Sequence, residues 1–302
     1  MILLPFFGKT PSWINYFILS CKINPEIDWL FYSNISFNNQ LPPNIHYVKA
    51  SLEDFNALAS EKLGFNVKLY NPYKICDYRP AFAEIFSDYI TSYEYWGYCD
   101  LDLIFGNIIN FLKIHKYKRF DIITSRIDSL AGHFSLFRNC EGINYMYKKI
   151  WRFKTNLLKI DKHFYLDERS NYIGQSYIKN HENLNFKNLL PKIRNSLSYR
   201  TLKLLPFLFD ITRVAEKYEN KGSIKILRIS DIQSDEYFNK SNIKAWKISW
   251  KNGKLYDENF SKEILYFHFI QLKKDRNFVI DPFININTHA FEITQQGIHS
   301  TS

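Results

Sequence analysis

The stretch Tyr95-Trp-Gly-Tyr-Cys-Asp-Leu-Asp-Leu-Ile-Phe-Gly106 decides the reading of this chain. Tyr95 to Cys99 has the bulky character of a buried strand, and it delivers the chain into two carboxylates one residue apart, Asp100 and Asp102. Upstream, strands and helices alternate. Ile2 to Phe7 reads as a buried strand, and Thr10 followed by Pro11 signals a helix start, with Trp13, Ile14, Phe17, Ile18 and Cys21 at helical spacing. Trp29 to Tyr32 and Ile45 to Val48 are the next strands. Ser51 with Asp54 forms a capping box that opens a helix over Leu52 to Leu63, and Pro80 opens another carrying Phe82, Ile85, Phe86 and Tyr89 on one side. This order implies an α/β fold whose mostly parallel sheet is covered on both faces. In such sheets ligands sit beyond the carboxyl ends of the strands, where Asp100 and Asp102 fall.

Downstream, strands are expected at Phe120 to Thr124 and His133 to Phe137, a helix over Ile143 to Phe153, and strands at Ile224 to Ile229, Ala245 to Trp250 and Ile264 to Ile270. The tail beyond Pro282 is expected to be ordered only in part. Asn185 to Arg213 is basic and leucine-rich, which reads as a solvated helical face or as a surface resting on anionic lipid headgroups.

With 302 residues the chain has room for one large domain, and 46% hydrophobic with 23% charged residues exclude disordered and collagen-like classes. The formal charge of +10 favours an anionic partner, whether nucleic acid, phosphorylated substrate or acidic lipid. Cys21, Cys76, Cys99 and Cys140 are far apart with no CxxC pair, so they read as buried free thiols in a reducing cytoplasm. No apolar run reaches the roughly 20 residues that span a bilayer, and Met1 to Phe7 lacks the pattern of a signal peptide.

Two carboxylates at the mouth of a strand can share a hard divalent cation, and Mg²⁺ or Mn²⁺ held this way keeps room for substrate phosphate oxygens. That chemistry needs both side chains to face a cleft and to be free of salt bridges within the fold. The non-enzymatic alternative is a basic module that binds acidic polymer or nucleic acid through charge, although no nucleic-acid-binding signature is present.

Together with Asn71-Pro-Tyr-Lys-Ile-Cys-Asp-Tyr-Arg-Pro-Ala-Phe82, the Tyr95–Gly106 stretch resembles nucleotide-sugar glycosyltransferases of the GT-A fold. It is particularly similar to a bacterial family of surface-polysaccharide enzymes. The likeness runs from Met1 to about Asn139 and recurs near His268. It implies a single GT-A-like, Rossmann-like domain over 1–302, with a nucleotide-sugar-binding half at 1–139. The acceptor-side half, 140–302, would hold a basic helical segment at 185–213 and a closing strand at 264–270. It also implies a metal-dependent hexosyltransferase that uses a nucleotide-diphosphate sugar and Mn²⁺ or Mg²⁺ to extend a glycan or lipid-linked acceptor. Such an enzyme would be cytoplasmic, with peripheral contact to an anionic membrane surface and no nucleic-acid partner.

Residue by residue, the resemblance assigns metal and diphosphate to Asp100, Leu101 and Asp102, and the nucleotide base to Pro5, Phe6, Phe7 and Asn34. Donor sugar or phosphate falls to Lys74, Asp77 and Arg79. His268, in Leu265-Tyr-Phe-His-Phe-Ile-Gln-Leu-Lys-Lys274, matches a late histidine that completes the metal shell, with Lys273 meeting the diphosphate. This segment lacks the Gly and Lys-Pro that follow the histidine in the best-known form. Gly132-His-Phe-Ser-Leu-Phe-Arg138 resembles the strand lining the sugar cleft, where glycine would let the backbone approach the donor and His133 would bind a hydroxyl or phosphate. Leu166-Asp-Glu-Arg169 resembles an acidic acceptor-facing segment, which makes Asp167 and Glu168 the general-base candidates.

Overall fold

Runs of apolar residues that bury both faces of a sheet start the chain. All five residues of β2 (Trp29–Ser33) are buried, as are Ile2, Leu3 and Leu4 of β1 (Ile2–Phe6), which is the burial of central parallel strands. The computed structural model describes residues 1–37, 40–158, 163–168, 210–229, 245–270, 272–282, 284–285 and 287–300.

Among these, β1 and β2 join β3 (Ile45–Lys49), β4 (Tyr95–Cys99), β6 (Ile122–Thr124), β7 (Phe134–Arg138) and β8 (Ile226–Arg228) in a seven-stranded sheet of order β3-β2-β1-β4-β7-β6-β8. The pairings β3–β2, β2–β1, β1–β4 and β6–β8 are parallel, and β7 runs antiparallel to β4 and β6. The sheet is mixed and mostly parallel, in the α/β class that the sequence implies. Gly97 is required in β4, because a Cβ there would lie 2.6 Å from both Leu136 Cδ2 and the Ser135 carbonyl oxygen.

Helices cover both faces. Phe17, Ile18 and Cys21 of α1 (Ile14–Lys22) pack with Leu4 and Phe31 on one side, and Phe55 and Ala59 of α2 (Leu52–Leu63) pack with Leu3 and Leu30 on the other. The expected capping box opens α2: Asp54 N donates to Ser51 Oγ at 3.1 Å, and Ser51 N donates to Asp54 Oδ2 at 2.8 Å. By contrast, α1 starts at Ile14, and Thr10 instead accepts from Ser36 N through its hydroxyl at 3.4 Å. Pro80 lies inside a 3₁₀ segment, Pro72–Ala81, and α-helical geometry begins only at Phe82.

The helix expected over 143–153 is three short turns, Glu141–Asn144, Met146–Lys149 and Phe153–Leu157, interrupted where Arg152 takes a left-handed φ of 53°. Ile143, Met146, Tyr147, Ile150 and Phe153 are nevertheless all buried in one core. Their apolar spacing survives a backbone that does not run as one helix.

A second, six-stranded sheet was not foreseen. β9 (Lys247–Lys251), β10 (Lys254–Asp257), β11 (Lys262–Ile264), β13 (Val279–Ile280), β14 (Ala290–Thr294) and β15 (Gly297–Ser300) follow the order β11-β10-β9-β14-β15-β13, antiparallel except for β13–β15. The tail beyond Pro282 therefore supplies two of its strands. Tyr16 and Leu19 of α1 pack against its inner face, so α1 is shared between the two sheets.

The strand expected over 264–270 divides at Leu265. β11 belongs to the second sheet, while β12 (Tyr266–His268) pairs antiparallel with β5 (Leu103–Phe105). Most of the basic stretch 185–213 lies outside the described residues. From its described end, the helix Ile211–Asn220 packs against the large sheet. Among the described residues no helix is long and apolar enough to cross a membrane. All four cysteines are free, and of them Cys21 and Cys99 are buried as expected, while Cys76 is half-buried and Cys140 exposed.

Candidate functional site

Strand β1 is flanked by β2 on one side and β4 on the other, so the chain order reverses between β1 and β4. The ends of two neighbouring parallel strands part there and leave a crevice. A cleft of about 830 Å³ opens at this point, lined by Phe6 at the end of β1 and Phe7 beyond it, by Asp100 and Asp102 beyond β4, and by Arg79 and Lys273.

The β5–β12 register explains how His268 reaches Asp102. Tyr266 opposes Phe105, Phe267 opposes Ile104 and His268 opposes Leu103, and Phe269 N donates to the Asp102 carbonyl at 3.2 Å. His268 Nε2 lies 3.4 Å from Asp102 Oδ2, and Lys273 Nζ donates to the same oxygen at 2.6 Å. Burial pushes the Asp102 carboxyl up, but His268 and Lys273 outweigh it and hold the group well below the usual carboxylate range. Ligand atoms of Asp100, Asp102 and His268 all lie within 4.8 Å of one another. Two carboxylates and one imidazole are a donor set that suits Mn²⁺ and, with less preference, Mg²⁺.

Arg79 joins this group to a second carboxylate. Its Nη2 donates to Asp100 Oδ1, while its Nη1 donates to Asp167 Oδ2 at 2.9 Å and to the Gly132 carbonyl at 2.6 Å. The expectation that the aspartate pair is free of salt bridges is therefore corrected. Asp100 pairs with Arg79, and Asp102 with Lys273. Two carboxylates this close need counter-charge, which Arg79 and Lys273 supply here, and a divalent ion would have to displace or share these contacts to bind the pair.

Asp167 is buried, and burial pushes its pKa up to about 7 even though Arg79 opposes the shift. A folded-state pKa above the ordinary 3.8 means that the protonated form carries the extra stability. This contribution is complete below about pH 4 and is lost as pH rises through about 7. Melting curves should therefore show native protein gaining most over Asp167→Asn near pH 4, with the difference shifting in the variant's favour between about pH 4 and 7 and levelling off above pH 7. A difference that stays flat from pH 4 to 8 contradicts this assignment.

His133 meets the Tyr266 hydroxyl at 2.6 Å and stacks on His268 with ring centres 4.5 Å apart. Burial, then the neighbouring His268, hold it well below its ordinary pKa, so it is a neutral imidazole. Gly132 gives close approach, but toward Asp167 rather than toward a donor: a Cβ there would lie 2.9 Å from Asp167 Oδ2.

Of the residues that the sequence singles out, Pro5, Phe6, Phe7, Arg79, Asp100, Leu101, Asp102, His133, Asp167, Glu168, His268 and Lys273 all line this cleft. Three do not. Asn34 Oδ1 accepts from Gly8 N at 2.9 Å and shapes the loop after β1. Lys74 and Asp77 turn inward as a buried ion pair at 2.7 Å, and the Asp77 carboxylate also accepts from the backbone N–H groups of Phe164 and Leu166. The donor-contact expectation for these two is corrected: their charges compensate each other and fix the chain segment beside the cleft. Asp77, His163 and Asp167 also converge within ligand distance. However, Asp77 is saturated by Lys74 and two amides, which makes this trio a poor cation site.

The sequence reading passed over Trp13, Tyr73, Arg126, His163 and Tyr165, which also line the cleft. A signal existed for two of them. In His163-Phe-Tyr-Leu-Asp167, residues 163, 165 and 167 face the cleft while Phe164 and Leu166 pack into the core, an alternation of cleft and core positions that the sequence shows as polar or aromatic against apolar residues.

Solved structures similar to this chain include a galactosyltransferase, LgtC, in complex with donor and acceptor sugar analogues, at 8% identity over 54% of this chain and 67% of that one, with a TM-score of 0.31. An active-site mutant of LgtC is similar at 10% identity over 65% of this chain and 84% of that one, with a TM-score of 0.32. The glycosyltransferase GlyE of Streptococcus pneumoniae TIGR4 is similar at 12% identity over 76% of this chain and 66% of that one, with a TM-score of 0.27. No curated protein matches the chain in sequence. Over residues 2–302 the sequence matches the family described as a family of unknown function (DUF6625), and the chain belongs to that family.

Proposed function

We propose that this protein is a metal-dependent glycosyltransferase that moves a sugar from a nucleotide-diphosphate donor to a glycan acceptor. The observation that carries this reading is the convergence of Asp100, Asp102, His268 and Lys273 on one cleft at the β1–β4 reversal. A crevice in this position suits a nucleotide, with Phe6 and Phe7 beside the base. Asp100, Asp102 and His268 would hold Mn²⁺ or Mg²⁺, which when bound neutralises charge on the departing diphosphate as a Lewis acid. Lys273, which lines the same cleft, would add a positive charge where negative charge develops on that diphosphate. Arg79 holds Asp167 and Asp100 at a set spacing. In an inverting displacement the acceptor oxygen bonds to the anomeric carbon as the carbon–oxygen bond to the diphosphate breaks. The electron pair leaves with the diphosphate, and the hydroxyl proton passes to the Asp167 carboxylate. A bacterial surface polysaccharide or lipid-linked glycan as acceptor, and peripheral contact of the basic stretch with anionic lipid, belong to the same proposal.

Melting the protein against uridine, guanosine, adenosine and cytidine diphosphates, with and without Mn²⁺, tests it. One of them should raise the midpoint by several degrees only when the metal is present. An equal rise with every polyanion, metal or not, would favour a basic polyanion-binding module and overturn the reading.

A further inference from the structure

We propose that Tyr73, His163 and Tyr165 form a ledge that binds a pyranose ring of the acceptor and presents its hydroxyl to Asp167. This rests on the glycosyltransferase reading of the cleft. Tyr73 is 61% exposed although it sits at the cleft wall, so its ring is offered to a ligand rather than used as packing. His163 lies 4.9 Å from Tyr73 and 4.2 Å from Tyr165 between ring centres, which makes the three rings one continuous aromatic surface.

The ledge is held rigidly. Asp77, buried and paired with Lys74, accepts from Phe164 N at 2.8 Å and from Leu166 N at 3.1 Å, and so fixes the segment whose alternate residues face the cleft. Tyr165 itself is kept at a φ of 56°, a left-handed conformation unusual for a tyrosine, and this turns the chain just before Asp167.

The inclination of the rings argues for a sugar. His163 is tilted by 76° to Tyr73 and by 43° to Tyr165, so no two faces are parallel as they would be around a flat base. A chair-shaped ring, with C–H bonds on one face and hydroxyls around its rim, can place that face on one aromatic ring and its edge on the next. Glu168, which also lines the cleft, supplies a polar group for the rim.

The test uses saturation-transfer NMR on the full chain with the methyl β-glycosides of glucose, galactose and N-acetylglucosamine, with and without Mn²⁺ and the four nucleoside diphosphates. Tyr165→Gly suits the left-handed backbone and removes the ring, and Tyr73→Ala alters only an exposed side chain. At least one glycoside should bind native protein, and each variant should bind it about fivefold more weakly or worse. Tyr73→Phe should bind it within about twofold of native, and the nucleotide-dependent melting shift should be unchanged in all three. Failure of every glycoside to bind, native-like binding by both Tyr165→Gly and Tyr73→Ala, or a nucleotide shift that falls in step with glycoside binding would each overturn the ledge. In the last case the rings would hold the base. Absence of any nucleotide shift in native protein instead overturns the transferase reading, which is scored separately.

Discussion

In Asp102→Ala, donor hydrolysis and sugar transfer are expected to fall by roughly 10³-fold, with loss of the metal-dependent melting shift. Both His268 and Lys273 approach the Asp102 carboxylate, at 3.4 Å and 2.6 Å. Its removal takes away one candidate ligand and the carboxylate that positions both His268 and Lys273. A divalent ion at a leaving diphosphate supplies several kcal/mol of transition-state stabilisation, and each 1.4 kcal/mol is about tenfold in rate. Asp102→Asn keeps the shape and removes the charge, so it should be nearly as inactive while folding as well as native protein. Hydrolysis within about tenfold of native in Asp102→Asn, with an unchanged Mn²⁺ requirement, would remove Asp102 from the proposed centre.

Arg79→Ala is expected to cost the most stability. The guanidinium serves Asp100, Asp167 and the Gly132 carbonyl at once, and only 12% of its side chain is exposed. Removing one partner of a buried ion pair typically costs about 3–5 kcal/mol, because the other charge is left uncompensated. For a chain of this size that is roughly a 10 °C fall in melting temperature. Adding Asp167→Asn to Arg79→Ala should recover part of the loss, since it removes one of the stranded carboxylates. If Arg79→Ala melts within 2 °C of native, which is about what a loss of 1 kcal/mol produces, the guanidinium is not compensating buried charge.

Much of the first half was legible because its signals are local. The β1, β2 and β4 runs, the Ser51–Asp54 cap and the acidic turn each occupy a few consecutive residues. The two aspartates stood out for the same reason, whereas Arg79, His268 and Lys273 were named only through the resemblance to GT-A glycosyltransferases. What could not be read is what depends on partners distant in sequence. Lys74 and Asp77 look like ligand contacts until the segment 163–166 is seen to satisfy Asp77. The strand at 264–270 reads as continuous because nothing local reveals that Leu265 marks the passage from one sheet to another. The six-stranded sheet was missed for a related reason: β9, β10 and β14 alternate buried and outward residues in runs of four or five, too short to fix their pairing.

The pairing of β12 with β5 carries a consequence for how the molecule comes into being. The two edges that meet are separated by most of the chain's length, and closing so long a loop is a late and slow event in folding. A nascent polypeptide could complete its parallel sheet on the ribosome and still have no ion-holding turn, since the imidazole and ammonium that finish it are made long after the two aspartates. Competence would then arrive as a final clasp, after the framework that displays it.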